Sequence, residues 1–194
     1  MNDLKERIIF STSRELTFYD ELAIKFSRVL EKLNVKYVIV AGFAAILLGR
    51  LRETEDIDFI IEPTDIRKIY KEARKEGFEA LTPISSLELD FNEARVRFYL
   101  KPHIIPNIEV KKAKSIYDFY TLKNRVVVLL NEYKLYIAPP EIQIPYKLWL
   151  GSLKDLEDAK YTYMMLKEKI NAQELSRFLK EFNVEELFRR IIET

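Results

Sequence analysis

Cysteine is absent from this chain, and glycine (4), histidine (1) and tryptophan (1) are scarce. Without a thiol there is no disulfide framework, no zinc–thiolate site and no cysteine nucleophile. His103 alone cannot build a multi-histidine metal site within one chain, and it argues against a Ser-His-Asp triad. An excess of charge of either sign is missing too. Lys and Arg number 32 against 31 Asp and Glu, a formal net charge of +1, so no global field draws the molecule to nucleic acid or to a membrane. Any nucleic-acid contact has to rest on a local patch. No apolar run reaches the ~18 residues of a membrane span, and no apolar leader stands at the N-terminus. A cytoplasmic protein that does not enter the membrane is expected. The 32% charged content, with few glycines and no cysteine, leads us to expect a heat-adapted source.

What is present is the composition of a globular protein: 194 residues, 48% hydrophobic and 12% aromatic. That length suffices for one sizeable core, or for a domain with a helical appendage. Apolar residues at helical spacing (Phe18, Leu22, Phe26, Val29, Leu30 and Leu33) predict an amphipathic helix over residues 17–33, with Thr17 and Asp20 at its N-cap. A helix over 65–76 ended by Gly77, a strand over 78–81 and a half-exposed strand over 95–101 follow. Residues 82–93 fit a strand or a helical turn equally well. Pro102 and Pro106 are expected to bracket a loop around His103, before a strand over 107–111. A helix over 115–123 precedes a hairpin, 125–130 with 134–138, turned at Asn131-Glu132-Tyr133. Pro139-Pro140 cannot sit inside a sheet ladder and marks the clearest boundary. Beyond it four helices are expected, over 141–150, 153–170, 172–182 and 184–192. The domains are therefore expected to be 1–138, an α/β unit, and 139–194, a helical one.

The stretch 37–61 organises the rest. It predicts a buried strand over 37–40, a short apolar helix opened by Gly42, a charged turn over 50–55 and a strand carrying Asp56-Ile57-Asp58. Side chains alternate along a strand, so Asp56 and Asp58 share a face while Ile57 enters the core. Neighbouring carboxylates repel unless a cation lies between them, and Mg²⁺ takes such oxygens together with substrate phosphates. The Gly-to-helix corner offers free backbone N–H groups to a phosphate. A phosphate cradle beside a metal dyad is a site for Mg-nucleotide chemistry.

Gly42-Phe43, the spacer 44–55 and Asp56-Ile57-Asp58 together resemble, in order and spacing, the nucleotidyltransferase superfamily that shares the DNA polymerase β palm fold. The longer phrase from Gly49 to Asp58 looks like the subset containing AbiEii-type toxins and small prokaryotic relatives. The resemblance implies a mixed sheet flanked by helices, followed by a small helical domain. It implies Mg²⁺ (two ions) and an NTP as substrate, with Asp56, Asp58 and a third acidic residue on a later central strand as metal ligands and catalytic groups. Glu109, in Asn107-Ile108-Glu109-Val110, holds that place, as second-metal ligand or general base. An ordinary solvent-facing Glu paired with Lys111 is the plainer reading, and Asp90 is the reserve. Family members often carry Ser after the glycine to bind a phosphate. Phe43 stands there instead, which leaves the cradle to backbone.

Pro140-Glu141, Ile144, Lys147-Leu148 and Lys154-Asp155-x-x-Asp158 resemble the segment that follows the catalytic domain in the same relatives. The likeness implies that Lys147 meets the triphosphate and that Asp158 shapes the site. Were the helix unbroken they would share a face, but Gly151 is expected to kink it. Read alone, Lys147 is a solvated lysine, and Asp155 and Asp158 are helix N-terminal charges. Arg50 and Arg52 fit a phosphate contact or a solvated turn equally, and Thr54 is placed to orient Asp56 by a hydrogen bond. Lys111, Lys112 and Lys114 form either a small basic rim for RNA or a plain solvated loop. Trp149, Tyr161, Tyr163, Phe178 and Phe182 are expected in the core. The acceptor stays open among an RNA or tRNA end, a protein hydroxyl and a small molecule such as an aminoglycoside. A toxin held by an antitoxin protein is a further expectation, and a non-catalytic nucleotide- or partner-binding protein of the same fold is the alternative.

Overall fold

The computed structural model describes residues 6–192. An N-terminal strand, β1 (Ile8–Thr12), leads into α1 (Phe18–Lys32). Thr17 and Asp20 close that helix with a capping box, each side chain accepting from the other's backbone N–H. The buried run Tyr37–Val40 is β2, and α2 (Ala41–Leu47) follows without an intervening loop. The reversal is made by Ala41, which adopts a left-handed φ of 58°, a conformation that costs an L-residue about 1–2 kcal/mol.

β3 (Asp56–Ile61), α3 (Ile66–Lys75) and β4 (Phe78–Ala80) come next. Residues 87–93, ambiguous by pattern, are helical (α4, Leu87–Glu93), with Leu87 and Phe91 buried. β5 (Val96–Leu100) and β6 (His103–Lys112) then pair as an antiparallel hairpin. The loop expected around His103 is thus strand. The chain reverses at 101–102, and the ladder is irregular between Phe98 and Leu100, near where Pro106 has no N–H to offer. α5 (Ile116–Lys123), β7 (Val126–Leu130) and β8 (Tyr133–Ile137) finish the sheet, and α6 (Pro140–Leu150), α7 (Leu153–Leu166), α8 (Ala172–Glu181) and α9 (Glu185–Ile192) follow it.

The sheet has eight strands in the order β1-β7-β8-β2-β3-β6-β5-β4. β3 lies between antiparallel β2 and parallel β6, so its residues occupy the middle of the sheet. One face carries Ile57, Phe59 and Ile61 into the main core with α1 and α3, around Phe26, Phe78 and Phe98. The opposite face carries Ile60, packed with Val38, Ala113, Leu122 and Ala138 in a small cluster beneath α5. A separate cluster of Ile144, Leu148, Ala159, Leu175, Leu179, Val184 and Phe188 joins the C-terminal helices. α7 also docks on the rest of the molecule, where Tyr161 donates to the Leu48 carbonyl at 3.3 Å. No helix among the described residues is long and apolar enough to cross a membrane.

Candidate functional site

Asp56 and Asp58 have the parity of Ile60 in β3, so they lie on the face away from the main core. Register then builds a row across the sheet: Val40 of β2 pairs with Asp58, Asp58 with Glu109 of β6, and Glu109 with Arg97 of β5. Two carboxylates therefore stand side by side on adjacent central strands, with Asp56 two residues along. Burial raises the Asp58 carboxyl, and the negative charges of Asp56 and Glu109 raise it further, to about 7. Arg95 and Lys147 oppose that rise without cancelling it. Thr54 donates to the Asp56 carbonyl at 3.0 Å and to its Oδ1 at 3.3 Å, fixing the entry into the strand.

Glu109 is differently placed. It is only 3% exposed, and its two oxygens are taken by Arg95 and Arg97. Burial alone would raise its carboxyl, but the hydrogen bonds from these arginines hold it below the usual carboxylate range. The partner considered from sequence, Lys111, bonds Asp118 at 3.0 Å instead. Among the described residues no group of three His, Cys, Asp or Glu side chains is arranged to hold a metal. The donor set does suit a divalent cation at Asp56 and Asp58, since added positive charge there relieves the repulsion that Asp58 carries. Asn107, in register with Asp56, adds an oxygen of the right kind: its Oδ1 is buried and has no hydrogen-bond partner.

On the other flank of β3, Gly42 lies at the start of α2. A methyl group added to it would meet the Arg52 guanidinium at 2.9–3.1 Å, so the missing side chain makes room for that cation. Phe43 is fully buried in the main core, which leaves only its backbone to face a ligand. Arg52 donates to Asp158 at 2.6 Å. Arg50 also pairs with Asp158, and with Glu157 at 2.6 Å. Lys147 completes the cluster, donating to Asp158 at 3.0 Å and to Asp155 at 2.6 Å.

Asp158 is fully buried, and its carboxylate gathers three cations from two parts of the chain. Burial and the charge of Arg50 lower the Arg52 pKa, as expected where cations crowd. Lys147 and Asp158 meet across a turn rather than along one helix. α6 ends at Gly151, which takes a left-handed φ of 73°, and α7 restarts after Ser152 and folds back against it.

Several residues named from sequence fall outside this constellation. Lys112 bonds the Asn92 side chain and Lys114 the Glu93 carbonyl, so with Lys111 they do not form a free basic rim. Asp90 bonds Ser86 in α4. His103 is exposed, with its ring edge-on to Phe18. Trp149, expected in the core, is 57% exposed and stacks on Tyr146. A cavity of about 500 Å³ between α1 and the β7–β8 hairpin is lined by Tyr37, Arg125 and Tyr136. Asp56, Asp58 and Glu109 do not line it. Sequence reasoning passed over Arg95 and Arg97 as functional groups. The signal was their alternation with Val96 and Phe98, which aims both arginines away from the core.

No family model matches this chain, and no curated protein matches it. Solved structures do. An antigenic nucleotidyltransferase-like protein from Paracoccidioides brasiliensis superposes with a TM-score of 0.55 at 20% identity, over 89% of this chain and 91% of that one. ANT(2″)-Ia, solved in complex with adenylyl-2″-tobramycin, gives 0.54 at 12% identity, over 88% of this chain and 99% of that one. The lincosamide antibiotic adenylyltransferase LnuA, lincomycin-bound, gives 0.52 at 13% identity, over 78% and 99% respectively. At these identities the likeness is one of fold: the chain has the mixed α/β fold of the nucleotidyltransferases.

Proposed function

We propose that this chain is a Mg²⁺-dependent nucleotidyltransferase, moving a nucleotidyl group from an NTP to an acceptor hydroxyl. The observation that carries the reading is the acidic row in the middle of the sheet. Asp58 is paired in register with Glu109, beside Asp56, and its carboxyl is pushed up to about 7 within a fold that nucleotidyltransferases share. Asp56 and Asp58 would hold Mg²⁺, with Glu109 the candidate ligand for a second ion. When bound, the metal supplies positive charge against the phosphate oxygens.

The chain's own groups do the rest. The backbone at Gly42 and Phe43, with Arg52 and Lys147, receives the β- and γ-phosphates, and Asp158 keeps both cations oriented. The acceptor oxygen forms a bond to the α-phosphorus, and the bond from that phosphorus to the oxygen bridging the β-phosphate breaks. Pyrophosphate leaves, and where Glu109 serves as the base rather than as a metal ligand, the acceptor's proton passes to it once its arginines have let go. In this reading residues 1–138 are the catalytic unit, and 139–194 contribute Lys147 and Asp158.

The test is incubation with each labelled NTP and Mg²⁺ against total RNA, an aminoglycoside and a protein extract, following label into the acceptor. Asp56→Asn with Asp58→Asn should lose transfer by at least a hundredfold while staying folded. A second reading is favoured by the buried Phe43 ring and the arginine-bound Glu109: a nucleotide- or partner-binding protein without turnover. Calorimetry with the four NTPs separates the two, since NTP binding indifferent to Mg²⁺, or no binding, supports the second.

A further inference from the structure

Arg95 and Arg97 stand at the edge of the acidic row, and so far they have served only to hold Glu109. Val96 and Phe98, between and beside them, are fully buried in the main core, so the arginines and Tyr99 project from the other face of the sheet. Their shared partner lies beneath them. The Glu109 side chain is 3% exposed, whereas those of Arg95 and Arg97 are 56% and 53% exposed. This flank therefore presents its positive charge to solvent and keeps its negative charge below.

Among the described residues it is also an exposed flank, since both arginines are more than half exposed. α5 packs over β2 and β3, and the cations that suit a triphosphate, Arg52 and Lys147, gather beside α2 and α7. A second substrate has the β5 side of the row by which to approach Asp58.

We infer that Arg95 and Arg97 select the acceptor, and that the acceptor is the 3′ end of a nucleic-acid strand. The inference rests on the nucleotidyl-transfer reading and specifies its second substrate. A guanidinium forks onto phosphate oxygens, and it repels cationic acceptors such as aminoglycosides. The backbone positions of residues two apart on one strand face are about 7 Å apart. The two guanidinium groups converge on Glu109 in the structure, and once drawn off it they reach successive phosphates of a chain. Tyr99 continues the same face with a ring on which a base can stack. Because the whole molecule is nearly neutral, with a formal charge of +1, this local patch has to supply the attraction. Phosphates that engage the arginines also draw them off Glu109, leaving that carboxylate free as the acceptor hydroxyl arrives.

The experiment is fluorescence anisotropy of a labelled single-stranded oligonucleotide with a blocked 3′ end. It is run as RNA and as DNA across a salt series, with the full chain, Mg²⁺ and a non-hydrolysable NTP. Binding of either strand type, or both, is the expected result, and the two arms show which sugar is accepted. Arg95→Ala with Arg97→Ala should weaken binding at least tenfold and flatten the log–log salt dependence by about 1.4, at ~0.7 per lost contact with a single strand. Arg95→Lys with Arg97→Lys should stay within a few-fold. Since the alanine pair leaves Glu109 buried without a partner, the same measurement is made with Glu109→Gln added, which removes that charge and keeps the fold. Equal affinity for the wild type and the alanine variants, no oligonucleotide binding, or faster labelling of an aminoglycoside or protein would overturn the inference. Calorimetry with Mg-NTP on the same preparations keeps the two levels apart. If Mg-NTP binds but the oligonucleotide ignores the arginines, only the acceptor assignment falls; if Mg-NTP does not bind, the transferase reading itself falls.

Discussion

Replacing Asp58 with Asn removes a carboxylate that the fold holds in an unfavourable state. Its carboxyl is pushed up to about 7 in the folded chain from a reference of 3.8, because it is half-buried and faces Asp56 and Glu109. Above pH 7 the folded state therefore carries a charge it disfavours, whereas the unfolded chain carries the same charge in water. Between about pH 4 and 7 the folded state binds more protons than the unfolded one, so stability falls as pH rises through that window and then levels off. At ~1.4 kcal/mol per tenfold displacement of the proton equilibrium, the ceiling is on the order of 4 kcal/mol. Asn mimics the neutral form, so Asp58→Asn should raise Tm by about 10 °C at pH 8, with the gain shrinking to nothing by pH 4. Thermal unfolding followed by circular dichroism, wild type beside variant at each pH, reads this group together with the carboxylates coupled to it. Mg²⁺ should raise the wild-type Tm at pH 8 and leave the variant largely unmoved. A variant less stable at pH 8, or one with the same gain at pH 4 and pH 8, would refute the argument.

Asp158→Ala leaves Arg50, Arg52 and Lys147 crowded around an empty place and should cost about 3–5 kcal/mol, read as a fall in Tm and urea midpoint. Gly42→Ala meets only the movable end of Arg52, so its Tm should stay within a few degrees of wild type. Its affinity for Mg-NTP, by calorimetry, should drop at least tenfold. Phe43→Ser would install the residue that the nucleotidyltransferase resemblance leads one to expect, but it empties a fully buried ring position. It should cost about 4 kcal/mol in stability and bring no gain in nucleotide affinity.

Residues 37–61 were legible because their signals are local. An unbroken apolar run predicts β2 and a sparse acidic pair predicts a strand with something to hold; the corner expected at Gly42 is made one residue earlier, by Ala41. The β7–β8 hairpin was legible for the same reason, turning on Asn131, which takes a left-handed φ of 53°. β1 was passed over. Its five residues owe their strand state to parallel pairing with β7, more than a hundred positions away, and nothing local announces that. Pro102 and Pro106 read as breakers, yet one lies in a turn and the other on an irregular rung, so β6 begins at His103. Trp149 fooled helical spacing, which identifies an apolar residue without saying whether its face meets a neighbour. The link from Glu109 to Arg95 and Arg97 depends on how β5 and β6 are aligned. That register is fixed by a hairpin turn whose presence the prolines concealed.

The carboxylate of Asp158 sits in α7, while Arg50 and Arg52 sit in the turn that leads directly into Asp56. A rocking motion of the C-terminal helices must therefore either tear the Arg50 and Arg52 contacts from a group sealed away from water or drag that turn along. The first is steep, so the second is the softer mode. The bend of the helical segment and the position of the first acidic residue then move as one coordinate, and a ligand that pulls on Lys147 is felt at Asp56 without any separate messenger.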